Sequence, residues 1–240
     1  MRLFSRTLAL VFLIMMVAAL AIGQQSSAPA ASKDFQPTIE EIVAETQQHV
    51  SGDGVTGLVW WIPVEFWETA AKANGGRGDL STFKPLREYT TLVVVAGKVS
   101  AFGNIQCFSE DEVRENILLQ DAAGATYLPL KTAEINGDAQ GMATVLRPIF
   151  VNALGKLGEN FVILFFPAKN KAGKAIAPAM DRGSFTVIMR RLAGPEKSWT
   201  WNTPLNSLMP PKYCPVGKER VQSNWSFCPW HGVSLVEPKK

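Results

Sequence analysis

Histidine is nearly absent: His49 and His231 are the only two among 240 residues. With so few imidazoles and no nucleophile-elbow motif, a Ser-His-Asp hydrolase arrangement has no support. An excess of charge of one sign is missing too. The chain carries 24 Lys and Arg against 21 Asp and Glu. Arg2 and Arg6 lie in an N-terminal export signal, so the mature count is 22 basic against 21 acidic. That balance offers no electrostatic footprint for nucleic acid and no polybasic membrane patch. Only one apolar run is long enough to invite a membrane reading, and it lies at the N-terminus.

That run, residues 8–22, is 15 residues without a polar interruption. It is short for a membrane span, which needs about 20 residues. Arg2 and Arg6 precede it, and Ala21 and Gly23 at its end supply the small side chains a signal peptidase requires. Residues 1–23 therefore read as a secretory signal peptide cut after Gly23, with delivery to the periplasm or beyond in a bacterial host. No cysteine near the cut invites lipid attachment, and no twin-arginine pair invites folded export. Retention of the segment would instead give a signal-anchored membrane-surface protein. Residues 24–36, rich in Gln, Ser, Ala and Pro, form a flexible leader.

Hydrophobic residues make up 47% of the chain, enough to build a sizeable core. Residues 37–205 read as one mainly β domain. Thr38 and Glu41 fit a capping box, and the helix they open runs toward residues 51–54. His49 then lies near its C-terminus, where a cation suits the dipole. A strand follows at 55–62 and a short helix at 63–74. Short apolar or alternating segments at 90–96, 117–120, 125–130, 142–146, 161–166 and 185–190 read as strands. Trp199 and Trp201 share one face of a last strand. The expected fold is mainly β: a β-sandwich or partly open barrel, with one or two short N-terminal helices and a small Cys-containing C-terminal tail. Residues 119–130 and 166–176 share a plan of strand, Gly turn and return strand. The first, Leu-Gln-Asp-Ala-Ala-Gly-Ala-Thr-Tyr-Leu-Pro-Leu, resembles hairpins of exported immunoglobulin-like sandwich domains, which implies a fold and no activity.

Pro204, Pro210 and Pro211 interrupt regular structure, so residues 206–240 read as a Pro-rich link and tail. In the tail, Tyr213-Cys214-Pro215-Val216-Gly217 is followed by Phe227-Cys228-Pro229-Trp230-His231-Gly232. This resembles a degenerate bacterial zinc ribbon, built from two Cys-Pro-x-Cys-Gly knuckles about ten residues apart. The second knuckle is full, with His231 as its second ligand. In the first, Gly217 stands directly after Val216, where the pattern has a cysteine. The resemblance implies a zinc site with Cys214, Cys228 and His231 as ligands and one ligand missing. Glu219, water or a distant residue could supply the fourth. A structural zinc site is closed by four N or S ligands, whereas three plus water is the catalytic form. The export compartment supplies a competing outcome. Cys214 and Cys228 could pair as a disulfide, worth about 3 kcal/mol for a loop of that length. Cys-Pro-Trp-His-Gly also resembles half of a Rieske motif, but Val216 stands where its other His belongs.

Other candidates are bland. Cys107 reads as a small hydrophobe beside the acidic run Glu110-Asp111-Glu112. Glu65 and Glu68 read as a solvated helical face. Arg77-Gly78-Asp79 and the sequon Asn224-Trp225-Ser226 are short chance matches. Trp60, Trp61 and Trp67 form a candidate aromatic patch for a sugar or protein partner. Adjacent Trp60 and Trp61 face opposite ways in a strand, so helices could equally cover both.

The function expected is that of an exported non-enzymatic binding or envelope-scaffold protein with a protein or glycan partner. It needs no cofactor beyond a zinc ion in the tail. An exported metal-dependent hydrolase built on the tail cluster is the alternative.

Overall fold

The computed structural model of the chain describes residues 35–73, 80–192 and 194–237. The signal segment, nearly all of the leader, and Arg77-Gly78-Asp79 lie outside these residues.

Thr38 caps the first helix, α1 (Ile39–Thr46), accepting a hydrogen bond from the Glu41 N–H at 3.3 Å. The helix is shorter than the sequence suggests. It stops at Thr46, and residues Gln47–Gly52 form strand β1. Asp53 and Gly54 then reverse the chain, with φ of 56° and 71°. Positive φ at both positions is the type I′ hairpin turn that Asp-Gly favours. β1 pairs antiparallel with β2 (Val55–Ile62) in register from Gln47–Trp60 to Gly52–Val55. His49 is therefore a strand residue, not a helix cap.

Pro63 breaks β2 and leads into helix α2 (Val64–Ala73). Strand β3 (Tyr89–Val99) is buried along most of its length because both edges are paired and both faces are covered. One edge holds β2. The other holds β7 (Val162–Pro167) beside residues 89–94 and β4 (Ile105–Cys107) beside residues 97–99. The second sheet runs β6 (Thr126–Tyr127), β5 (Ile117–Asp121), β8 (Gly183–Met189), β9 (Lys197–Thr203). All pairs in both sheets are antiparallel, and neither sheet closes into a barrel. The sandwich expectation holds.

Trp60 and Trp61 show how the layers meet. Trp60 packs edge-on against Phe66 of α2, and its indole N–H donates to the Thr46 hydroxyl of α1 at 3.1 Å. Trp61 points the other way and meets Phe185 of β8 at 4.7 Å and Trp201 of β9 at 6.4 Å. One tryptophan thus seats the helices and its neighbour joins the two sheets. Both belong to the main core, as does Trp67, which stacks on Phe83.

Two further helices were not expected from the sequence. Ser109 and Glu112 form a full capping box that opens α3 (Glu110–Asn116). Residues 142–146 are not a strand but lie inside α4 (Gly137–Leu154). Asn136 starts that helix, its side-chain oxygen accepting from the Ala139 N–H at 2.8 Å. Ala139, Met142 and Ala143 then pack on the core at helical spacing.

The two matching hairpin turns are real. The Asp121 carboxylate accepts from the N–H groups of Ala123 and Ala125, and the Asn170 side chain accepts from Ala172 and Lys174. Gly124 and Gly173 take positive φ in the same place. After the first turn the ladder is brief. Pro129 lies beyond β6, and the Leu130 N–H donates instead to Phe165 of the first sheet.

Candidate metal centre

The C-terminal segment begins where the core ends. Leu205 and Leu208 still belong to the main core, while the short hairpin of β10 (Lys212–Tyr213) and β11 (Arg220–Val221) does not. The segment packs against α1. The Glu45 carboxylate accepts hydrogen bonds from the Asn206 and Ser207 N–H groups at 2.8 and 2.9 Å and from the Asn206 amide at 3.0 Å. Arg220 forms an ion pair with Glu41 at 3.1 Å.

Two Cys-Pro turns then face one another with one backbone plan. In the first, the Cys214 N–H donates to the Glu219 carbonyl and the Lys218 N–H to the Cys214 carbonyl. In the second, the Cys228 N–H donates to the Val233 carbonyl and the Gly232 N–H to the Cys228 carbonyl. The fourth residue after each cysteine is left-handed, Lys218 at φ 63° and Gly232 at φ 64°. His231 in the second turn thus corresponds to Gly217 in the first. Glu219 corresponds to Val233, which bears no donor.

The turns bring Cys214, Glu219, Cys228 and His231 together, with one donor atom from each lying within 4.8 Å of the others. His231 Nδ1 is 3.3 Å from Cys214 Sγ and 3.4 Å from Cys228 Sγ. Glu219 Oε1 is 3.6 Å from Cys228 Sγ and 3.6 Å from His231 Nδ1. A tetrahedral zinc, with bonds of about 2.3 Å to sulfur and 2.1 Å to N or O, has donor–donor edges of roughly 3.4–3.8 Å. These four distances, 3.3–3.6 Å, lie near the short end of that range, and all four donors fall within 4.8 Å of one another. Both cysteines are free thiols and both are buried, whereas His231 and Glu219 are partly exposed. The sequence pattern brings three ligands here, and the structure adds Glu219.

Electrostatics reflect this crowding. The backbone N–H of Glu219 and its contacts with the two thiols and His231 hold its carboxyl below the usual range, against some burial. Burial pushes the Cys228 thiol up, opposed by the N–H groups of His231 and Trp230. A cation among these donors would reverse that rise, because a coordinating thiol is held deprotonated. The Gly217 N–H already donates to Cys214 Sγ at 3.4 Å.

The remaining candidates fall elsewhere. Trp60, Trp61 and Trp67 are 3%, 1% and 8% exposed, so the aromatic patch expected there is core instead of surface. Cys107 lies on β4, half-buried, and burial raises its thiol pKa. Glu68 pairs with Arg87, and burial raises the Glu65 pKa. Among the described residues no helix is long and apolar enough to cross a membrane. Comparison with known proteins found no matching family model, no similar curated protein and no similar solved structure.

Proposed function

We propose that this is an exported, non-enzymatic β-sandwich protein that binds a partner in the cell envelope, with a C-terminal zinc ribbon as a structural part. The observation that carries the metal reading is the set of four donors within 4.8 Å of one another on two matching Cys-Pro turns. Cys214, Cys228, His231 and Glu219 would close the coordination shell, leaving no position for a reactive water. A metal held by all four is a folding element: it ties two turns with little core of their own to the hairpin they flank. The ribbon in turn is fastened to α1 through Glu45 and Glu41. The export reading is supported by the charge, length and small-residue pattern of residues 1–23.

The test is the mass of the protein purified from the exported fraction, native and denatured, with thiol alkylation. One zinc per native chain, three alkylatable cysteines after unfolding and an N-terminus at Gln24 are expected. No metal and a single alkylatable cysteine, Cys107, would establish a Cys214–Cys228 disulfide and end the zinc reading. A zinc-dependent hydrolytic activity that survives loss of Glu219 as a ligand would point to the three-ligand catalytic alternative. Retention of residues 1–23 would make the protein a surface-anchored one.

A further inference from the structure

An exposed aromatic surface lies on the ribbon, away from Trp60, Trp61 and Trp67. Trp230, at the tip of the second Cys-Pro turn, is 68% exposed. Its ring meets Trp225 at 6.4 Å and 60°. The two indoles line a cavity of about 440 Å³ together with Arg220, Gln222, Ser223 and Asn206. A second cavity of about 330 Å³ adjoins it, sharing Asn206 and Arg220 and walled by Glu41 and Glu45 of α1. The two share a wall, Asn206 and Arg220, at the seam between ribbon and sandwich.

The lining defines a ligand class. Indole rings offer apolar faces to aliphatic C–H groups, and the exposed Gln222 amide and the guanidinium of Arg220 offer hydrogen bonds beside them, whereas Asn206 is already engaged by Glu45 and Asn224 and Ser223 is buried. Both depressions are open to solvent, so a ligand here would lie across the rings and would not sink into an enclosed pocket. The charge is already balanced. Among the described residues lining the groove Arg220 is the one cation, and Glu41 holds it at 3.1 Å. Glu45 is engaged by three hydrogen bonds from residues 206 and 207. A phosphate or acidic ligand would therefore meet carboxylates and no free cation. The rings also meet at an angle and do not form the parallel ridges that grip a polyproline helix. A pyranose has what remains: an apolar C–H face, a hydroxyl rim and no charge.

We infer that the seam lined by Trp225 and Trp230 is a binding site for a neutral oligosaccharide. The inference gives the proposed envelope-binding role its partner class and does not depend on the metal.

Isothermal titration of the mature chain with cellotetraose, maltotetraose and chitotetraose tests it, alongside inorganic phosphate and a proline-rich peptide. At least one tetrasaccharide is expected to bind and to shift the tryptophan fluorescence. Trp230→Ala is expected to weaken that binding at least tenfold, equivalent to about 1.4 kcal/mol. Gln222→Ala should weaken it less, and Trp199→Phe, on β9 and not among the residues that line the groove, should leave it unchanged. Both ribbon side chains are exposed, so the thermal midpoints of their variants should stay at the parent value. No binding of any tetrasaccharide at millimolar concentration would overturn the inference. So would binding indifferent to Trp230→Ala, or a preference for phosphate or the peptide. Zinc content measured on the same samples separates a failure of the saccharide site from a failure of the metal reading.

Discussion

The carboxylate of Glu219 fills the space that a side chain on Gly217 would enter. A Cβ built on Gly217 would lie 2.7 Å from Glu219 Cδ. In the zinc-ribbon pattern a cysteine side chain projects from that position. The missing ligand and the candidate replacement thus compete for one volume, reached from residue 217 in one case and from residue 219 in the other. A rescue follows. Glu219→Ala should weaken zinc binding by at least about tenfold, since even an outer partner of a ligand is worth that much. Adding Gly217→Cys to Glu219→Ala should restore it, by giving the first turn a ligand at the position that His231 holds in the second. Competition with a chromophoric chelator measures both. If Gly217→Cys brings no recovery, Glu219 is not standing in for the ligand.

Lys218 carries a cost that Gly232 avoids. The two residues occupy the same place in the two turns, at φ of 63° and 64°. A left-handed conformation costs a residue with a Cβ about 1–2 kcal/mol, and glycine almost nothing. Lys218 also gives a hydrogen bond from its ammonium to the Pro215 carbonyl, which offsets part of that cost. Lys218→Gly should therefore stabilise the zinc-loaded tail by about 0.5–1 kcal/mol, with the larger freedom of glycine in the unfolded chain opposing it. Resistance of the tail to limited proteolysis, compared between the two proteins at equal zinc, reads the change.

The strands were legible wherever local pattern and tertiary setting agreed. Residues 55–62 are rich in β-branched and aromatic side chains, and they form β2 with the bounds expected. β1 was hidden because Gln47, Gln48 and His49 have no β preference; the pairing with β2 places them. The Asp53-Gly54 turn that dictates that pairing was visible, but it was read as a helix end. Residues 142–146 are short and apolar, which suits a buried strand as well as a helix. The deciding signal was Asn136 as an N-cap ahead of Ala139 and Met142. In the tail, the cysteines and His231 were legible from spacing. Glu219 could be named as one option among several, because its place depends on a backbone turn that brings residue 219 round beneath Gly217. The tryptophans show the limit of composition. Seven rings look alike in a sequence, and only the fold separates Trp61 in the core from Trp230 in solvent.

Trp61 is the ring whose loss should separate the sheets. It is buried against Phe185 and Trp201, which themselves stack at 5.2 Å. Trp61→Ala would leave a cavity between two sheets that cannot both collapse into it. A loss of about 3–5 kcal/mol is expected, the usual range for a large buried aromatic. Trp199→Ala, on the same strand as Trp201 but partly exposed, should cost under about 1 kcal/mol. Urea unfolding followed by fluorescence and by far-ultraviolet circular dichroism measures both, and a comparable cost at the two sites would contradict the layered packing.

Asp121 should make the sandwich sensitive to acid. Burial works to raise its pKa, but hydrogen bonds from the Tyr127 hydroxyl, the Ala125 and Ala123 N–H groups and Asn170 outweigh it, and the carboxyl is held below its ordinary value. In the unfolded chain those bonds are gone and the group takes up its proton at a higher pH. As pH falls through the interval between the two values, the unfolded state holds more protons than the folded state, so stability declines. The contribution is fully present above the unfolded value and is gone below the folded one. Asp121→Asn removes this titration while keeping one acceptor oxygen for the turn. Its urea midpoint should lie below that of the parent at neutral pH, and the two should converge as pH is lowered toward the folded value. The same bonds push the Tyr127 hydroxyl up, after burial as the main cause, so its ionisation should be delayed in alkali and should return toward normal in Asp121→Asn. Parallel acid curves for the two proteins would mean that the turn tolerates a protonated Asp121 and that its hydrogen bonds do not hold the hairpin.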